Sequence, residues 1–247
     1  MDEAYREDLA YIHDAGFGRI ARGAAALLLE ELRQCGFDRG LVIDLGCGSG
    51  ILSEQLAAGG YDVLGIDISE AFIAMARRRV PRGEFRVESI LTADLPRCVA
   101  VAAVGECLNY LFDERHTADG VRKVLERAFA ALMPGGLLVL DIAQPGRVPG
   151  GTSNNYFEGE DWTVLVAAAE DPQQKLLTRQ ITIFRKVGEL YRRDHEVHRQ
   201  RLLPGAEVES WLKAIGFEVR TLDAYGSVPF SAGDVGFLAR KPVPDSA

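Results

Sequence analysis

The stretch from Val42 to Gly50, Val-Ile-Asp-Leu-Gly-Cys-Gly-Ser-Gly, constrains this 247-residue chain more than any other. Leu41 to Leu45 is short and mostly apolar, the pattern of a strand buried in a parallel sheet. Glycines at 46, 48 and 50 follow at once, and a helical pattern begins with Ile51, Leu52, Leu56 and Ala57. Strand, glycine turn and helix in that order let backbone come close to a ligand, because glycine has no Cβ in the way.

Three features narrow the ligand. Asp44 stands two residues before the first glycine. A dinucleotide loop normally has an apolar residue there, since it receives a pyrophosphate at a helix N-terminus; a carboxylate repels phosphate and suits an amino group. The spacing Gly46-x-Gly48-x-Gly50 also fails the dinucleotide pattern Gly-x-Gly-x-x-Gly. Asp67 ends the next apolar run, Val63 to Ile66. An acid at that place, about 20 residues past the glycines, accepts hydrogen bonds from two ribose hydroxyls. An amino-acid end plus a ribose describes S-adenosylmethionine (SAM) better than NAD.

The motifs Asp44-Leu45-Gly46-Cys47-Gly48-Ser49-Gly50, Gly65-Ile66-Asp67-Ile68-Ser69 and Met133-Pro134-Gly135-Gly136 occur in that order, the last before an apolar strand. In them the chain resembles the class I SAM-dependent methyltransferases, over residues 17–142 and again over 204–240. The resemblance implies an α/β fold with a Rossmann-like, seven-stranded, mostly parallel sheet, helices on both faces and SAM as cofactor. It implies cofactor contacts from Asp44, Gly46, Cys47, Gly48, Gly50, Asp67 and Ile68. Many members place an aspartate near position 89 for the adenine amino group. Ser89 departs from that, which leaves its hydroxyl or the Ile90 backbone for the task.

Acidic residues outnumber basic ones by 36 to 28, a formal net charge of -8. Nucleic-acid binding relies on Lys and Arg against phosphate, so a nucleic-acid partner is not expected. Cys35, Cys47, Cys98 and Cys107 form no C-x-x-C pair, and no zinc site or disulfide framework is suggested. No apolar run approaches a membrane span and the first residues are acidic, so a cytoplasmic protein without a membrane partner is expected.

Read in order, Asp2 to Asp14 and Arg19 to Cys35 are helices. Strands are expected at 41–45, 62–67, 84–88, 98–105 and 137–142, with helices at 50–59, 69–79 and 116–133 between them. Gln144 to Tyr156, rich in Gly, Pro, Ser and Asn, reads as a loop. Alternating strand patterns then run to Arg201, as in Thr178 to Phe184. The expected organisation is a core of 1–142 and 204–247 with an antiparallel β insertion at 143–203. An insertion of about 60 residues is large enough for a lid or an interface, so oligomerisation through its strand edges is open. Pro204 to Gly216 is the last helix, and Phe217 to Leu222 and Asp234 to Arg240 are the closing strands.

The fourth strand is followed by Glu106-Cys107-Leu108-Asn109-Tyr110. Its C-terminal end belongs at the ligand crevice, which makes Glu106 and Cys107 cofactor candidates and Asn109 and Tyr110 acceptor-substrate candidates. In Asp194-His195-Glu196-Val197-His198, period two puts Glu196 and His198 on one face and His195 on the other. His198 is the candidate general base, because an imidazole titrates near neutrality, with Glu196 facing the substrate. The N-terminal helices of the resembling family pack over the site, which makes Tyr11 and His13 further catalytic candidates. Methyl transfer from a sulfonium needs little beyond alignment and a free lone pair. The expected partner is a small-molecule nitrogen or oxygen acceptor. The competing readings are a non-catalytic SAM-binding scaffold and an NAD-dependent oxidoreductase.

Overall fold

The computed structural model describes residues 4–244. Two helices, Glu7–Gly16 (α1) and Arg19–Gln34 (α2), precede the first strand, Leu41–Leu45 (β1). Strand and helix then alternate: Ile51–Ala58 (α3), Asp62–Asp67 (β2), Glu70–Arg79 (α4), Glu84–Val87 (β3), Cys98–Ala103 (β4), Ala118–Ala131 (α5) and Leu132–Ala143 (β5). Four strands follow without a helix: Thr152–Glu158 (β6), Trp162–Asp171 (β7), Leu176–Val187 (β8) and Leu190–Arg201 (β9). The chain closes with Gly205–Ile215 (α6), Glu218–Leu222 (β10), a short hairpin of Ala224–Tyr225 (β11) and Val228–Pro229 (β12), and Asp234–Arg240 (β13).

The main sheet has seven strands in the order β10-β13-β5-β4-β1-β2-β3. β13 is antiparallel to both neighbours, and the other contacts are parallel. Strand order reverses between β4 and β1, so a crevice opens beyond their carboxyl ends. The apolar run of β1 is explained by the layers on each face. Ile43 packs with Val124 and Leu125 of α5, while Val42 packs with Leu28 of α2 and Leu56 of α3. Local signals set the helix ends. The Ser69 hydroxyl accepts the Phe72 N–H at 3.2 Å to start α4, and Arg77, Arg78 and Arg79 in its last turn oppose the helix dipole.

The second sheet has four antiparallel strands in the order β6-β7-β8-β9, and its residues Val164, Ile181 and His198 line the same cavity as Asp44 and Asp67. Trp162, Val164, Ile181 and Ile183 on its inner face pack against Leu9 and Ile12 of α1. At its β9 edge, Leu111 donates to the Arg199 carbonyl and Arg201 to the Asn109 carbonyl, so the loop after β4 covers that edge.

Several boundaries differ from the sequence reading. The first helix starts at Glu7, because the Tyr5 and Arg6 N–H groups bond to the Glu196 carboxylate 190 residues or more away. The expected start at Asp2 lies outside the described residues. Thr152–Tyr156, read as loop, belongs to β6, whose ladder partner β7 supplies the hydrogen bonds its polar sequence does not advertise. β5 begins at Leu132, five residues before the expected strand, and its Met-Pro-Gly-Gly segment is the irregular start of that strand. The β11–β12 hairpin carries no periodic signal in its sequence.

Candidate active site

Beyond Leu45 the chain turns on two glycines in the left-handed region, Gly46 at φ +67° and Gly48 at φ +52°. A side chain at Gly46 would collide with Cys107. Gly46 and Cys47 both donate to the Ile66 carbonyl, at 2.8 and 3.1 Å, which presses the turn against β2. A Cβ at Gly48 would meet no protein atom within 4 Å, so that face of the turn is open to a ligand.

Asp67, at the end of β2, takes the Gly48 N–H on Oδ2 and the Ser69 N–H on Oδ1, both at 2.9 Å. Burial raises its carboxyl, and those N–H groups pull the other way. Each oxygen keeps capacity for another donor, which is what a vicinal diol presents. Asp44 is buried and accepts the Ser53 hydroxyl at 2.6 Å. Burial pushes its carboxyl up to about 7, against the Ser53 bond and with help from neighbouring Asp67. No cation pairs with Asp44 among the described residues. An ammonium group would supply the missing charge, so the two carboxylates fit an amino acid at one end and a ribose at the other. Ile68 and Ile90 add apolar lining, and the Ser89 hydroxyl donates to Asp113. The Arg115 guanidinium on Asp113 holds that carboxyl far below its usual range, so an acceptor for an amino group stands where the expected aspartate is missing.

The cavity over these residues has a volume of about 960 Å³ and continues to the inner face of the β6–β9 sheet. Aromatic groups form its middle. The Tyr5 and Tyr110 hydroxyls are 2.9 Å apart, and the Tyr5 ring lies 4.7 Å from His198, 4.8 Å from Phe72 and 5.3 Å from His13. Burial pushes the His13 imidazole down to about 4, against the pull of Asp14, so it is neutral at physiological pH. Glu106, a non-glycine residue at φ +59°, faces Arg147 and Arg179. Arg147 Nε also lies 2.8 Å from Asp234 Oδ1, close in charge but without hydrogen-bond geometry. Burial and the adjacent Glu106 push the Asp234 carboxyl up to about 8.

Of the sequence-derived cofactor residues, all but Gly50 line this cavity. Gly50 instead caps α3 at φ +81°, where a Cβ would crowd Ala76 at 3.1 Å. The Cys47 and Cys107 thiols are pushed well above their ordinary range by burial and donate to the Gly48 and Leu45 carbonyls. Glu106 is fully engaged by protein partners, as a clasp between core and insertion. His13, Tyr110 and His198 line the cavity; Tyr11, Asn109 and Glu196 do not. The Tyr11 hydroxyl donates to Asp161 at 2.9 Å, outside it. Asn109 is fully buried, and its amide bonds Ala143 and Arg201 backbone, which makes it a lock between β5 and β9. Glu196 sits behind His198, 2.8 Å from its Nε2.

The sequence reading missed Tyr5, Asp113, Asp141 and Arg179. Asp141 had a usable signal, an acid near the end of a buried strand like Asp44 and Asp67. It accepts the Gly105 and Glu106 N–H groups and the Tyr225 hydroxyl, and burial raises it to about 6. The other three reach the cavity through tertiary contacts alone.

Comparison with known proteins identifies the domain and the fold. Residues 42–136 match the family model described as a methyltransferase domain. The chain is 28% identical over 194 residues to YqeM of Bacillus subtilis (strain 168), covering 76% of this chain and 77% of that one. A SAM-dependent methyltransferase from Clostridium acetobutylicum superposes with a TM-score of 0.80 at 17% identity, covering 94% of this chain and 97% of that one. The SAM-bound amino pentose methyltransferase from Micromonospora echinaspora, involved in calicheamicin biosynthesis, gives 0.75 at 22% identity, covering 98% and 99%. At those identities the two structures speak to the fold, and the matched domain contains the glycine turn and Asp67. The chain carries a methyltransferase domain over residues 42–136 and has the fold of S-adenosylmethionine-dependent methyltransferases.

Proposed function

We propose that this enzyme transfers the methyl group of SAM to the amine nitrogen of a small molecule enclosed beneath the β6–β9 sheet. One observation carries the reading: a single cavity reaches from Asp44 and Asp67 to Val164, Ile181 and His198. At about 960 Å³ it is near the upper end of small-molecule sites, with room for a cofactor and a modest substrate together. That one fold neighbour is an amino pentose methyltransferase supports nitrogen as the accepting atom.

Bound SAM supplies a methyl group activated by its positively charged sulfur. Asp44 pairs with the ammonium group of the methionine end, and Asp67 accepts the two ribose hydroxyls. Ile68 and Ile90 flank the adenine, with Asp113 accepting from its amino group. Tyr5, Phe72 and Tyr110 wall the reacting centre from water, and His198 takes the proton that the amine must lose.

The buried Asp44 gives binding a pH signature. Its carboxyl must ionise to pair with an ammonium, and its folded-state value is about 7. Affinity for S-adenosylhomocysteine, which keeps the ammonium, therefore falls as pH drops below about 7, by up to roughly tenfold per unit. Calorimetry across neutrality checks this, and Asp44→Asn should flatten the dependence. A flat profile in the unsubstituted protein would remove Asp44 from the ammonium site.

The reaction itself is tested with SAM labelled in its methyl group and a cell extract fractionated by size. Label on nitrogen in small molecules is the expected result. Label confined to macromolecules, or on oxygen, overturns the proposed acceptor class.

A further inference from the structure

Glu196 and His198 are two residues apart on β9 and share its buried face, while His195 and Val197 face outward. Their side chains are each 2% exposed, and Glu196 Oε2 lies 2.8 Å from His198 Nε2. The same carboxylate accepts the Tyr5 N–H on Oε2 at 3.1 Å and the Arg6 N–H on Oε1 at 2.9 Å. A carboxylate that holds two backbone donors is an acceptor toward its third partner as well. The proton of a neutral His198 is therefore kept on Nε2, and its lone pair resides on Nδ1. Nδ1 has no hydrogen-bond partner among the described residues, and it is not sealed off from the cavity that His198 lines. The ring cannot easily turn. Tyr5 lies 4.7 Å away on one side, with Phe112 at 4.9 Å and Tyr110 at 5.8 Å edge-on.

We infer that Glu196 is a positioning residue that fixes the tautomer and orientation of His198, so that Nδ1 is the atom that takes a proton from the substrate's ammonium group ahead of methyl transfer. The inference rests on the amine-acceptor reading above. The segment at Tyr5 and Arg6 belongs to the device, because it supplies two of the three donors on Glu196 and the ring packed on His198. Its carbonyl at Tyr5 also accepts the Ser69 hydroxyl at 2.9 Å, two residues from Asp67. The base is thus complete only when the N-terminal segment lies across the cofactor end of the cavity.

The proton balance closes. His198 Nδ1 takes one proton from the ammonium form of the substrate, and the freed nitrogen lone pair forms a bond to the methyl carbon. The carbon–sulfur bond breaks with its electron pair going to sulfur, which becomes a neutral thioether. His198 is left as an imidazolium whose Nε2–H still donates to Glu196, and Nδ1 returns its proton to solvent when the product leaves.

Two experiments test this, one of them independent of methyl transfer. The protein is labelled with ¹⁵N-histidine, saturated with S-adenosylhomocysteine and studied by long-range ¹H–¹⁵N correlation near neutral pH, with His198→Gln identifying the signals. The expected pattern is a protonated Nε2 and a bare, pyridine-type Nδ1, with a slowly exchanging Nε2–H that disappears in Glu196→Ala. A proton on Nδ1 with Nε2 bare overturns the inference whatever the enzyme methylates.

The second experiment is a double-mutant cycle using labelled SAM and the small-molecule fraction of the extract. His198→Ala should lower turnover by about 100-fold, and Glu196→Ala by about 10- to 100-fold, each with S-adenosylhomocysteine affinity within about threefold. Because Glu196 acts through His198, the double variant should be no slower than His198→Ala. Multiplying losses would assign Glu196 a structural role only. Glu196→Gln, which keeps the side-chain volume and one acceptor oxygen but not the charge, should lose less turnover than Glu196→Ala. If no fraction accepts label, the amine reading fails, and the nuclear resonance result still decides the tautomer.

Discussion

Glu106→Ala is expected to destabilise the folded protein by about 3–5 kcal/mol, the cost of leaving a buried charge without its partner. Glu106 Oε1 accepts from Arg147 at 3.1 Å, and Oε2 accepts from Arg179 at 3.1 Å and from the Gln200 amide at 2.7 Å. Arg179 is on β8 and Gln200 on β9, so this one carboxylate ties the insertion to the end of β4. Both guanidiniums are only 19% exposed, which is why their loss of a counter-charge is expensive. A chain of this size loses about 2–4 °C per kcal/mol, so the melting temperature should drop by roughly 10 °C. The pH window follows from the same contacts. Burial alone would raise Glu106, but Arg179 and Arg147 hold it down to about 2, below its ordinary 4.5. A depressed carboxyl stabilises the fold above its unfolded-state value, and that share is lost as pH falls from about 4.5 toward 2. Thermal melts of the variant at neutral pH, and acid titrations of both proteins, check the two parts. A change under about 1 kcal/mol at neutral pH would mean the clasp is solvated and dispensable.

Asp67→Ala should weaken binding of SAM or S-adenosylhomocysteine by about 2–4 kcal/mol, roughly 30- to 1,000-fold, through loss of charge-assisted hydrogen bonds. The carboxylate also holds the Gly48 and Ser69 N–H groups, so the variant loosens the turn that faces the ligand. Asp67→Asn retains one acceptor oxygen and should fall between the two. Calorimetry measures the affinities, and a melt without ligand separates loosening of the turn from loss of ribose contacts. Affinity within about threefold of the unsubstituted protein would sink the ribose assignment of Asp67.

How far the sequence can be read depends on how far apart the partners lie. The proposed cofactor end is built by one strand–turn–helix unit and the neighbouring strand end. Asp44, Gly46, Gly48 and Asp67 fall within 24 consecutive residues, 44–67, and the face of the turn at Gly48 is open. The acceptor end has no such local grammar. Tyr5 meets Tyr110 across 105 residues and Glu196 across 191. Arg179 reaches Glu106 across 73. Asn109 and Tyr11 show the reverse, because neither lines the cavity. Polar residues at promising sequence positions are spent on backbone locking and on Asp161, because a fully buried amide must satisfy itself where it stands. The pairing of Glu196 with His198 was readable from period two, but whether that face was solvated or buried was not.

The sequence by itself determined the alternating fold, the glycine turn and the acid that ends the second strand. These rest on period, glycine placement and strand ends, all of which act over a few residues. Only the tertiary structure decided which polar side chains share the cavity and how the insertion is clasped. It also decided that the N-terminal segment completes the His198 environment. Those outcomes depend on contacts between distant segments, whose energy exists only once the chain has closed on itself.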